Sequence, residues 1–304
     1  MQEQHHLTPG ARFVDPKVLA RIGSLELLAR NVVDGFINGL HRAPYLGVSI
    51  DFAEHRGYMP GDDIRRIDWR VFARTDRFYV KQFEADTNAN FSVLFDVSRS
   101  MSFGTRGITK LDYGRFLAAC LCYFSTKQRD RVGLVTFDNA IVERVPPSAK
   151  HFEIVLHKLD RIVAGRPGNL KEPFYRMTEF FRRRGILAVI SDLYEEPETV
   201  IEAVRPLRYE GNDVIMFHVL DPAEIDFPYD EASSFEDLET GRRIPVVPEK
   251  LREQYRVLIR EHTEQLAKLC AQDRVDYALF NTATPLDHAL FKFLATRERL
   301  IRVR

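Results

Sequence analysis

"FSVLFDVSRSMSFG" (Phe91–Gly104) sets an apolar, strand-forming run directly before an aspartate and two serines spaced two apart. A short run that is apolar on both faces and ends in a polar loop reads as an interior strand of a parallel sheet. Behind it comes a helical pattern, "KLDYGRFLAACLCYFST" (110–126). Strand, polar loop and helix in that order make a β/α unit, and each strand found downstream extends the same sheet.

Downstream, "RVGLVTFD" (131–138) and "AIVERVP" (140–146) meet at Asp138 and Asn139, the residue types of a hairpin turn. Helical patterns follow in "HFEIVLHKLDRIV" (151–163) and "EPFYRMTEFFRRRG" (172–185). "ILAVISDL" (186–193) and "DVIMFHVL" (213–220) again read as interior strands. "EKLREQYRVLIREHTEQLAKLCAQ" (249–272) is an amphipathic helix, "VDYALFN" (275–281) a last strand and "PLDHALFKFLATRERL" (285–300) a last helix. The expected fold is α/β, a doubly wound, mostly parallel sheet of about six strands over residues 89–304. Residues 222–249, rich in Pro, Asp and Glu, form an excursion with a hairpin turning at Thr240 and Gly241. Residues 1–88 do not continue the β/α alternation; they hold a helix from Pro16 to about Gly39 and are expected to pack on the sheet domain.

Lys plus Arg and Asp plus Glu both number 44 in the 304 residues, so the net charge is zero and no global field draws the chain to nucleic acid or anionic lipid. Of three cysteines, Cys120 and Cys122 point to different faces of one helix and Cys270 is far away, which reads as buried, reduced thiols. The N-terminus lacks a basic segment followed by an apolar core, and no window approaches the roughly 18 apolar residues of a membrane span. A cytoplasmic protein without a membrane span is expected.

Asp96, Ser98 and Ser100 fall at the end of the first core strand, and Asp192 at the end of a later one. In open α/β sheets ligands collect at such carboxyl ends. Carboxylates with hydroxyls and waters suit Mg²⁺ or Mn²⁺. The same residues also serve as caps of the next turn and helix, and both readings stand on the sequence. "DVSRS" completed by a distant "SD" resembles the metal-ion-dependent adhesion site of von Willebrand factor type A domains, a Rossmann-like fold. The resemblance implies that a divalent cation on Asp96, Ser98, Ser100 and Asp192 bridges to an acidic group of a partner. The family's threonine on a further loop has no counterpart in "AGRPGNL" (164–170), where Gly168 or Asn169 is nearest and Asn169 offers an amide oxygen.

"FAEHRGYMPGDDIRRIDWRVFARTDRFYVKQFE" (52–84) interleaves carboxylates, arginines and aromatics, the composition of a bidentate ion-pair network. It reads either as a clamp onto the sheet domain or as a docking surface of Asp62, Asp63, Arg65, Asp68, Trp69 and Arg74. With Gly61, Ile67 and Ala73, these residues match in order the block G-D-D-x-R-x-I-D-W-x-x-x-A-R. The block resembles that of the bacterial domain-of-unknown-function family numbered 58, in which it precedes a von Willebrand type A-like domain. That resemblance implies partnership with a MoxR-type AAA+ ATPase and a client protein in the assembly or maturation of complexes.

No phosphate-binding G-x-x-x-x-G-K-[ST] loop, dinucleotide fingerprint or G-x-S-x-G elbow is present. The alternative enzyme is a Mg²⁺-dependent phosphohydrolase using Asp96, but its pattern calls for a second aspartate where Ser98 stands. His5, His6, His151, His157, His218 and His262 lack metal-like spacing. Arg182, Arg183 and Arg184, ahead of Gly185, are expected to complement the dipole at a helix C-terminus. The expectation is a non-enzymatic interaction module.

Overall fold

The structure is a computed structural model and describes residues 24–42, 54–57, 72, 74, 75, 77–82, 89–287 and 290. In chain order the elements are α1 (Leu25–Arg42), β1 (Glu54–Gly57), β2 (Tyr79–Gln82), β3 (Asn90–Asp96), α2 (Lys110–Lys127), β4 (Arg131–Phe137) and β5 (Ile141–Ser148). There follow α3 (Phe152–Asp160), α4 (Lys171–Met177), β6 (Gly185–Ser191), α5 (Pro197–Tyr209) and β7 (Asp213–Leu220). The chain continues with α6 (Pro222–Asp226), β8 (Ser233–Glu236), β9 (Arg243–Val246), α7 (Pro248–Gln272) and β10 (Asp276–Asn281).

Six strands form one sheet in the order β10-β7-β6-β3-β4-β5. All neighbours are parallel except β5, which returns antiparallel beside β4 through the expected turn. The expected fold is therefore present: α/β, doubly wound, with a mostly parallel sheet of six strands. The side-chain period of two assigns the faces. Val93, Phe95, Ile215, Phe217 and Val219 join α1, α2 and α3 in one core. Leu94, Val189, Val214 and Met216 join α4, α5 and α7 in the other. α1 belongs to the first core through buried Leu25, Leu28, Ala29, Val32 and Val33. α2 lies so close to the sheet that a Cβ on Gly114 would come 2.6 Å from the Phe95 ring. A side chain there is excluded by packing.

Two expectations need correction. The helix read over 172–185 stops at Met177, because the Phe180 and Phe181 amides both turn back to the Met177 carbonyl and Phe181 drops into the core. Arg182, Arg183 and Arg184 are exposed in the link to β6 and do not cap a helix. The N-terminal helix extends to Arg42 rather than about Gly39, and its expected beginning, residues 16–23, lies outside the described residues. Of the last helix, Leu286, Asp287 and Leu290 are described as helical.

Candidate functional site at the strand ends

From β3 the chain proceeds to β4 on one side, and from β6 to β7 on the other, so the connections diverge between neighbouring β3 and β6. That divergence opens a crevice at the strands' carboxyl ends. Asp96 ends β3, Ser191 ends β6 and Asp192 follows it directly.

Asp96 is buried. Its Oδ1 accepts the Ser98 amide at 2.8 Å and its Oδ2 accepts the Ser191 hydroxyl at 2.6 Å. Burial, and after it the charge of Asp192, pushes the Asp96 carboxyl up to about 7, with the hydrogen bonds from Ser191 and Ser98 opposing. The chain then enters a 3₁₀ turn, Arg99–Ser102, which sets the Ser98 and Ser100 hydroxyls 3.1 Å apart. The 164–170 loop is sewn to this turn: the Gly165 amide donates to the Val97 carbonyl at 2.8 Å and the Arg99 amide to the Arg166 carbonyl at 3.0 Å. Gly168 faces Ser98 so closely that a Cβ would stand 2.9 Å from the serine Cβ. Gly168, not Asn169, thus adjoins the hydroxyl pair. The Asn169 side-chain oxygen accepts the Lys171 and Glu172 amides at 3.0 and 3.4 Å and caps the start of α4.

Asp192 is engaged elsewhere. Lys110, fully buried in the first turn of α2, donates to Asp192 Oδ2 and to Glu224 Oε1, each at 2.7 Å. The Tyr194 ring centroid lies 4.6 Å from the same ammonium. Burial pulls the Lys110 ammonium down, but the two carboxylates outweigh it and hold its pKa above the ordinary value. Burial raises the Glu224 carboxyl and Lys110 opposes that rise.

A third carboxylate comes from the hairpin of β8 and β9. Glu239, at its tip, accepts the Ser100 amide on Oε1 and the Gly168 amide on Oε2, both at 2.7 Å. Two convergent N–H groups beside two hydroxyls make a seat for a carboxylate, and charge-assisted bonds of this length are the strong kind.

A hard divalent cation needs oxygen donors that converge on one point. Asp96, Ser98 and Ser100 supply adjacent oxygens, and a nearby cation would favour the charged form of Asp96, which burial disfavours. Asp192 is paired with an ammonium, Asn169 caps a helix and Gly168 brings no side-chain donor. The fit therefore covers Asp96, Ser98 and Ser100. Among the described residues no group of three or more His, Cys, Asp or Glu side chains is arranged to hold a metal ion.

The sequence reading missed Lys110, Glu224, Ser191 and Glu239. A lysine in the first turn of a helix, against the dipole, was the available signal for Lys110. Nothing local distinguishes Glu239 from the other acids of its segment. Of the proposed docking residues, Asp62, Asp63, Arg65, Asp68 and Trp69 lie outside the described residues, and Arg74 is exposed. No described helix is long and apolar enough to cross a membrane.

The family model "Protein of unknown function DUF58" matches residues 54–265. Uncharacterised proteins of Mycobacterium bovis and Mycobacterium tuberculosis are 32% identical over 234 residues, covering 75% of this chain and 73% of theirs. Among solved structures, the conserved hypothetical protein BatB from Bacteroides thetaiotaomicron aligns at 16% identity and a TM-score of 0.47, covering 69% of this chain and 99% of that one. An aerotolerance-related membrane protein from Bacteroides fragilis aligns at 13% identity and 0.48, with coverage of 68% and 99%. The SpRpn10 VWA domain aligns at 10% identity and 0.39, with coverage of 66% and 92%.

Proposed function

The chain belongs to the DUF58 family, and from that premise we propose that it is a non-enzymatic protein-interaction module whose strand-end face receives an acidic side chain of a partner. The observation that carries this reading is the pair of amides, Ser100 and Gly168, converging on one carboxylate beside the Ser98–Ser100 hydroxyls. Asp96, Ser98 and Ser100 would hold Mg²⁺ or Mn²⁺, which supplies positive charge opposite the incoming carboxylate. The chain's own part is to orient. Ser191 and the Ser98 amide fix the Asp96 carboxylate, while Lys110 holds Asp192 in an ion pair. The collaborator we propose is a MoxR-type AAA+ ATPase acting with it in assembly or maturation of protein complexes. The family resemblance of the "GDDIRRIDW" block supports that partner.

The test combines two measurements on the full chain. Titration of the chelator-treated protein with Mg²⁺ and Mn²⁺ is expected to show saturable binding that Asp96→Ala abolishes. Capture by an immobilised MoxR-type ATPase is expected to weaken at least tenfold on chelation and in Asp96→Ala. Capture unchanged by either treatment contradicts the cation bridge. Hydrolysis of p-nitrophenyl phosphate that is lost in Asp96→Asn contradicts the non-enzymatic reading.

A further inference from the structure

The hairpin bearing Glu239 has its own construction. β8 and β9 are four residues each, pair from Ser233↔Val246 to Glu236↔Arg243 and leave most of their side chains exposed. A two-stranded ribbon of this size is marginal by itself. Its base is fastened: the Phe235 ring stacks at 5.7 Å on Phe227 and meets Tyr229 edge-on at 4.8 Å. Its tip is shaped from within. Asp237 accepts the Glu239 amide on its side chain at 2.9 Å, and its carbonyl accepts the amide of Gly241 at 2.7 Å, with Gly241 at a φ of +70°. The turn therefore presents Glu239 as a formed loop whether or not the seat is engaged, and the tip reaches the strand-end face through the two bonds from Ser100 and Gly168.

Resting on the reading of that seat as a partner's docking point, we propose that Glu239 is its resident ligand. The hairpin tip holds the place of the partner's acidic side chain, and a partner docks by exchanging its own carboxylate for Glu239. The partner chemistry that follows is an acidic residue displayed at the tip of a tight turn, as Glu239 is. Because the occupant is tethered, it competes at an effective concentration of about millimolar for a short connection, so a free ligand meets a seat already filled. The short, exposed ribbon gives way more readily than the sheet beneath it.

The test uses a cyclised synthetic peptide of residues 233–246, "SSFEDLETGRRIPV", titrated into the full chain. The Glu239→Ala chain is expected to bind the peptide at least tenfold more tightly than the native chain. The same peptide with alanine for its second glutamate is expected to bind neither. Equal affinity of the native and Glu239→Ala chains for the peptide, with the alanine peptide still inactive, overturns the exchange while leaving the seat intact. Equal binding of the glutamate and alanine peptides overturns the seat itself. No binding of either peptide to the Glu239→Ala chain overturns the proposal, since the vacated seat then fails to take a carboxylate on this loop.

Discussion

Lys110 is the residue on which the electrostatics of the strand ends turns. One buried ammonium faces two carboxylates, and removing one member of a buried set leaves charge that nothing compensates. Lys110→Met is therefore expected to cost roughly 3–5 kcal/mol in urea denaturation at neutral pH. The deficit should shrink as the pH is lowered and the orphaned carboxylates take up protons; a deficit independent of pH would place the loss in packing instead. His218 gives a second residue-scale test. It is fully buried, with Nδ1 2.7 Å from the Tyr277 hydroxyl. Burial foremost, then the nearby His262, pulls its pKa down to about 3, with Lys110 adding a smaller push in the same direction and a backbone hydrogen bond involving Asp192 opposing. A depressed folded-state pKa means stability that is fully present above the unfolded value near 6.5 and is lost as the pH falls toward 3. Replacing His218 with Gln should flatten the stability curve between pH 6 and pH 4 by up to about 1.4 kcal/mol per pH unit; an unchanged slope would show that other groups carry the acid sensitivity. The D-x-S-x-S cluster was legible because its members are neighbours in sequence. Lys110 and Asp192 are 82 positions apart, and Ser100 and Glu239 are 139 apart. Pairing over such separations is decided by the sheet topology, which no local spacing records.

At the scale of elements, α2 is positioned by its capped start and its contact with β3. Thr109 and Asp112 form a reciprocal capping box at its start, which satisfies amides that the helix leaves open. Thr109→Ala should cost about 1 kcal/mol, read from the denaturation midpoint. The loop before α4 is held more tightly still. A Cβ at Gly168 meets Ser98 at 2.9 Å, so something must shift when it is added. Gly168→Thr, which restores the hydroxyl missing from the loop, is expected to destabilise the chain by about 1–3 kcal/mol and to leave Mn²⁺ affinity no higher than native; a tighter Mn²⁺ titration would show that the loop yields and that the hydroxyl completes a cation shell. The interior strands could be read because burial on both faces leaves an unbroken apolar run. The shortness of α4 could not, since Phe180 and Phe181 suit a helix by period and are turned aside by the packing of Phe181 into the core shared with α4, α5 and α7.

Over the whole molecule, two cores on opposite faces of one sheet bring the ends of β3 and β6 together and leave an opening at the point where their connections diverge. That opening is filled from three sides: by the 98–102 turn, by the 164–170 loop and by the tip of the β8–β9 hairpin. The doubly wound order was legible from the alternation of strand and helix patterns. The convergence of the third element was not, because the hairpin lies in an excursion whose composition suggests only exposure. The central claim is that the Ser100 and Gly168 amides form a seat for a carboxylate. The measurement that tests it most directly is amide hydrogen exchange resolved at those two residues, in the native full chain and in Glu239→Ala. The account predicts protection at both amides in the native chain and at least tenfold faster exchange at both in the variant, with β3 and β6 unchanged. Equal exchange in the two proteins would contradict it.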